Sequence, residues 1–126
     1  MASNLVRSEP TLSVVVTHPA SPVTGNPVRY GKIVGVALTD EGEGGNAATE
    51  TTVDFGRKVW DLVVDDNGGS GIAVGDKLYY HDTGTGSPTT SINNSSSSAD
   101  AEVGIALEAI SANATTTINV LVTATS

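Results

Sequence analysis

A chain of 126 residues, 38% of them hydrophobic, is sized for one domain with an ordinary core and leaves no room for a second. The absence of cysteine excludes disulfides and thiolate metal sites, and a formal net charge of -8 speaks against DNA or RNA as partners, because neutralising phosphates takes clustered Lys and Arg. Aromatics make up 4% while Val and Thr each occur 16 times, so the core has to be assembled from small β-branched side chains, which favour strands.

Residues 1–11 are polar, contain Pro10 and precede the first strongly apolar run, which predicts an extended arm ahead of a single β domain over residues 12–126. The first ten residues hold Arg7 and Glu9 and lack an apolar run of about 7–15 residues, so no export signal is expected. Leu12 to His18 reads as the first strand. Pro19 to Pro27 contains three prolines and Gly25 and reads as a structured loop. Val28 to Leu38 resumes strand character, with Gly31 and Gly35 as bulge or bend positions. The acidic, Gly-rich stretch Asp40 to Ala48 is a loop.

Thr51 to Phe55 and Val59 to Val64 predict a hairpin around Gly56, and in its second arm Trp60, Leu62 and Val64 form one apolar face. Asp65 to Gly71 is a turn cluster, followed by an apolar approach, a Gly-Asp turn and a departing strand over Ile72 to Tyr80. Thr83 to Asp100, with serines at 95–98, cannot bury enough apolar surface to order itself, and is expected to be a loop with at most a short strand near Ile92. Ala99 to Ile110 fits a helical stripe as well as a strand, but Gly104 and the alternation of Val103, Ile105, Leu107 and Ala109 favour strand. The last strand is Thr115 to Thr123, with Ile118, Val120 and Val122 on one face. Val34-Gly35-Val36-Ala37-Leu38 recurs as Val103-Gly104-Ile105-Ala106-Leu107, each followed by a polar loop and a Thr-rich strand. About eight short strands separated by Gly-rich turns predict an all-β fold, a small barrel or sandwich with long Gly/Ser-rich loops. The apolar runs are only a few residues long, well short of the ~18 that suggest a membrane span, so no membrane partner is expected.

The chemistry-bearing motifs fail at identifiable positions. A phosphate-binding loop needs a fixed Gly spacing and a hydroxyl after its lysine, but Gly25 to Lys32 has one residue too many and is followed by Ile33. Ala47, Val74 and Thr89 stand where the third glycine of a dinucleotide fingerprint belongs. Ser70 has Ile72 where a nucleophile elbow needs glycine. His18 and His81 lie at separate strand ends without a nucleophile signature, and read as structural or surface histidines. Asp65, Asn67 and Asp76 are spaced like part of a calcium loop, yet Ser70 replaces its sixth-position glycine and Asp76 its bidentate Glu. No catalytic residue, cofactor or metal is therefore expected. Tyr30, Trp60, Tyr79 and Tyr80 could serve as a sugar-stacking platform, which keeps a carbohydrate-binding or adhesive β module as the alternative, and a small β-fold enzyme as a further rival.

The ordered set His18-Pro19-Ala20, Thr24-Gly25-Asn26-Pro27-Val28 with Gly31, Gly35-Val36-Ala37-Leu38, Ile72 to Tyr80, Gly104-Ile105-Ala106-Leu107 and the C-terminal Thr/Val strand resembles the phage capsid cement, or head decoration, family. It departs from that pattern at Val63, where a proline is usual, and in the length of its acidic and serine-rich loops. The resemblance implies a compact β-barrel or β-tulip domain without enzymatic activity. It would form homotrimers at threefold and quasi-threefold sites on the outer surface of an assembled head, bind the major capsid protein there, and be made in the host cytoplasm. Charge adds a polarity to this picture. Residues 1–39 hold Arg7, Arg29 and Lys32 against Glu9, a net of +2, and the remainder carries -10. Arg7, Pro10, Arg29 and Lys32 are accordingly the expected capsid-binding residues, the first two on an arm that would order on its partner.

Overall fold

A computed structural model of the chain describes residues 11–67, 69–82 and 92–123, and all nine of the regular elements among them are strands. The predicted arm, apart from Thr11, and residues 83–91 of the predicted Ser/Thr-rich loop lie outside the described residues.

The first four strands, β1 (Thr11–Val14), β2 (Pro27–Tyr30), β3 (Ile33–Ala37) and β4 (Thr51–Asp54), form an antiparallel sheet in the order β1-β4-β3-β2. The segment predicted as one strand from Val28 to Leu38 is a hairpin. Gly31 takes a φ of 63° in the two-residue turn between Tyr30 and Ile33, a conformation open to a residue without Cβ, so the chain reverses there instead of bending. The predicted strand Leu12 to His18 is also divided. Its first half pairs with β4, and after Val15 and Val16 the amides of Thr17 and His18 donate to Arg29 O on the far side of β2, at 2.8 and 3.2 Å. One bent run therefore flanks both edges of the sheet, and Val14, Val16, Val28, Ala37, Val53 and Phe55 pack in the space it encloses.

The remaining strands, β5 (Lys58–Asp65), β6 (Lys77–Tyr80), β7 (Ile92–Asn93), β8 (Ala101–Ala106) and β9 (Thr115–Val122), close into a barrel in the order β5-β7-β6-β8-β9. β5 and β9 pair antiparallel along their whole length, from Lys58↔Val122 to Asp65↔Thr115. The expected alternation holds on both: Leu62, Val64, Ile118, Val120 and Val122 are buried, with Trp60 packed against the same core. β7 is the short strand expected near Ile92, and its single parallel pair, Asp65↔Asn93, completes the ring. The hairpin predicted around Gly56 does not exist, because β4 and β5 belong to different sheets. Buried Asp54 accepts a hydrogen bond from Gly56 N at 2.8 Å and pairs with Lys58 Nζ, which turns the chain out of the sheet, and β9 then supplies a partner for every residue of β5.

The internal echo marks matching strands, one in the sheet and one in the barrel. β3 and β8 each pair with the Thr-rich strand that follows, each ends at an exposed leucine, Leu38 or Leu107, and each contains a cramped glycine. A Cβ on Gly35 would stand 2.6 Å from Val53 Cγ1 and 2.7 Å from Asp54 O, and one on Gly104 would stand 1.9 Å from Leu121 O. The two strands pack on one another, and Val34 and Val36 of β3 enter the barrel core. Gly104→Ala is expected to lower unfolding free energy by about 3 kcal/mol, since the clash is with backbone. Gly45→Ala, at a φ of 85° with nothing within 4 Å, should cost only about 1 kcal/mol. Urea unfolding midpoints of the two variants check the contrast.

Candidate functional site

Arg29 and Lys32, expected together on one binding face, stand in different settings. Arg29 shares a face of the sheet with its cross-strand partner Val34, the face that packs on the barrel. Its guanidinium reaches Asp82, just past β6: Nε donates to Oδ1 at 2.9 Å, Nη2 pairs with Oδ2, and Nη1 donates to Gly31 O at 2.5 Å. The Arg29 side chain is 15% exposed and that of Asp82 28%. Asp82 N in turn donates to Asp100 Oδ2 at 2.8 Å. Beside this pair, His18 Nδ1 lies 2.7 Å from the hydroxyl of fully buried Tyr80 and 3.8 Å from Asp82 Oδ1, with the two rings edge to face at 5.6 Å. Two pairs of residues far apart in sequence, His18 with Arg29 and Tyr80 with Asp82, thus form a polar clamp between the sheet and the barrel. The hydrogen bonds from Arg29 hold the Asp82 carboxyl below its ordinary range, and Asp82 holds the Arg29 guanidinium above its own, in each case against the opposing effect of burial.

Lys32 sits at the exposed turn between β2 and β3 and borders a groove of about 290 Å³ with Tyr79, Ser96, Asp100 and Glu102. Next to it, Tyr30 and Ile33 face each other across the hairpin, 41% and 39% exposed, and the Tyr30 ring lies 6.1 Å from that of Phe55. Register fixes where the arm leaves. Thr11 is opposite Asp54, Asp54 is opposite Val36, and from Val36 β3 runs back to Ile33, so the chain enters β1 from the end of the sheet at which the hairpin turns. Exposed Arg57 lies in the link that leaves β4 at this same end. Arg7 and Pro10 are outside the described residues.

The other groups singled out in the sequence have bonding partners within the fold. His81 is buried, with Nε2 2.8 Å from Ser95 O. Asp76 Oδ2 accepts from Ala73 N and Asp65 Oδ1 from Thr115 Oγ1, so the partial calcium pattern is split between a turn and the β5–β9 ladder. Among the described residues no three His, Asp or Glu side chains converge as metal ligands. Tyr80 and Trp60 belong to the core, Tyr79 borders the groove and Tyr30 lies on the sheet, so the four aromatics do not share one platform. Sequence reading missed buried Asp66, whose carboxylate accepts from Gly71 N at 2.8 Å, Asn113 N at 2.9 Å and Asn94 Nδ2 at 3.1 Å and so gathers three loops. Its neighbours in sequence, Asp65 and Asn67, gave no hint of which acid would turn inward.

Compared with known families, the chain matches that of the phage cement proteins over residues 6–122, which is nearly all of it. It belongs to the phage cement protein family. No curated protein matches, and no solved structure does. Membership makes this cement protein a structural component of the phage capsid with a decorating role. In a cement protein a clamp such as Arg29–Asp82 acts on rigidity, since it holds the end that carries Lys32 against the barrel. Asp82→Asn should lower unfolding free energy by about 2 kcal/mol by removing a charge-assisted pair. The sign with pH follows from the depressed Asp82 value: its contribution is complete above about pH 4 and fades as pH falls through the value in the folded chain. Unfolding measured from pH 7 downward should show a shallower acid-side loss in the variant than in the wild type.

Proposed function

We propose that this cement protein decorates the outer surface of an assembled phage head as a homotrimer at threefold and quasi-threefold sites. There it grips neighbouring major capsid subunits and stabilises the shell, without catalysing a reaction. The observation that carries the choice of face is the convergence, at one end of the sheet, of the entry to β1, the exposed pair Tyr30 and Ile33, and the cation Lys32. An apolar centre bordered by the exposed cations Lys32 and Arg57 suits a partner surface of mixed apolar and acidic character. Arg7 and Pro10 on the arm extend the same face, and the arm orders as it lies across an adjacent capsid subunit. Arg29 contributes by bracing the hairpin through Asp82 rather than by meeting the capsid with a free charge. Attachment at several points multiplies contacts that are individually modest.

Removing residues 1–10 should weaken binding to heads while the remaining β domain folds and associates as before. Occupancy measured on purified heads checks this, and unchanged occupancy would refute a role for the arm. Lys32→Glu should slow association by roughly an order of magnitude at low salt and by much less at high salt, because an exposed charge acts over about a Debye length. Indifference of the association rate to both the substitution and the salt would count against this face.

A further inference from the structure

The outer wall of the barrel carries an apolar row that breaks the polar-outward pattern around it. On β5 the residues that alternate with buried Leu62 and Val64 point away from the core. Val59, one of these, stands directly opposite Leu121 on β9, and Leu121 directly opposite Ile105 on β8, so three apolar side chains lie side by side across three strands. Val59 is 54% exposed, and Leu121 and Ile105 are half-buried. The outward positions nearer the start of β9, Thr115, Thr117 and Asn119, are polar and exposed. Lys77 of β6 pairs with Ile105 and closes the row on one side, and Asp61, opposite Asn119, lies two residues along β5 from Val59 on the same face. Both charges are exposed.

Three features decide what covers this row. The barrel is closed, so association through this half of the molecule has to use its side-chain surface and not strand edges. With a net charge of -8, like copies repel one another except where the contact is apolar or its charges are paired. The row meets both conditions, since its centre is uncharged and exposed charges of opposite sign border it, Lys77 at its β6 end and Asp61 along β5, which makes it complementary to a second copy placed head to tail. A convex wall facing a threefold axis touches one neighbour with each flank, and a head-to-tail contact closes into a ring of three when each copy is turned by a third of a revolution from the last.

We infer that this row is the contact between copies of the chain, the β5 flank of one protomer meeting the β8 and β6 flank of the next, so that Asp61 faces Lys77 of the adjoining copy. The inference rests on the proposed trimer and adds the surface that builds it. It also separates self-association from capsid binding, which uses the Lys32 end of the sheet.

The chain contains no cysteine, so introduced thiols report cleanly. The double variant D61C/K77C, treated with a short bismaleimide both free and on decorated heads, should give covalent trimers on a denaturing gel, and each single variant should give none. Leu121→Glu should sediment as a monomer with the circular dichroism of the wild type. If Leu121→Glu fails to fold, the cross-linking result decides. Covalent dimers without trimers would indicate a twofold contact and overturn the head-to-tail arrangement. A trimeric wild type with no cross-link in the double variant, and with Leu121→Glu still trimeric, would overturn the assignment of this surface and leave the trimer standing. A wild type that is monomeric both free and on heads would remove the trimer itself.

Discussion

β3 is buried on both faces, and the relation between the two halves of the molecule follows from that. Val34 and Val36 point into the barrel core, while Ala37, on the other face, packs with Val28 and Val53 in the core of the sheet. A strand shared in this way cannot tilt without opening one core or the other, and each buried valine or alanine leaves little slack to absorb a shift. The close approach of β4 to β3 depends on Gly35, and that of β9 to β8 on Gly104. The polar clamp of His18, Arg29, Tyr80 and Asp82 lies along the same junction, so apolar burial and charge-assisted hydrogen bonds restrain one degree of freedom together.

The pairing pattern also accounts for how such a protein presents itself to partners. The barrel has no edges, and the continuation of β1 through Thr17 and His18 occupies the outer side of β2. Strand addition is thereby suppressed at the barrel and beside β2, while β1 remains an edge of the sheet. Elsewhere binding is left to side-chain faces. Two of them are apolar with flanking charges, the hairpin end around Tyr30 and Ile33 and the wall around Leu121, and they lie on different halves of the molecule. Under the proposed trimer, these two separate surfaces serve self-association and attachment to the shell.

The acidic loops have a structural role beyond solubility. Asp40 accepts hydrogen bonds from both the amide and the hydroxyl of Thr24, at 2.8 and 3.0 Å, and these hold its carboxyl below the ordinary range. Asn46 Nδ2 bonds Glu43 O at 2.8 Å and Thr52 Oγ1 at 2.9 Å. Asp66 does the same work at the far end of the barrel, where backbone amides of two turns converge on one buried carboxylate. Short acidic side chains suit such loops because they accept from amides that no strand satisfies.

By itself the sequence determined the fold class, the inward faces of β5 and β9 and the absence of a recognisable catalytic motif, but not the face of β8, where Leu107 and Ala109 of the expected alternation are exposed. Trp60, Leu62 and Val64, and again Ile118, Val120 and Val122, could be assigned to the core because a strand's period of two writes burial directly into the order of residues. Glycine was legible as a place of departure from regular strand, but not as to kind: Gly31 reverses the chain, Gly35 and Gly104 admit a neighbouring strand, and Gly56 leads into another sheet. Which strand pairs with which was decided only in three dimensions, since β5 gains more from eight residues of β9 than from the four of its neighbour β4. The clamp was illegible for the same reason, because Arg29 meets Asp82 across 53 positions and nothing local distinguishes a lysine that stays in solvent from an arginine that folds against an acid. Local periodicity encodes which side of a strand is wet, whereas the identity of the neighbour depends on chain closure over distances that no short window contains.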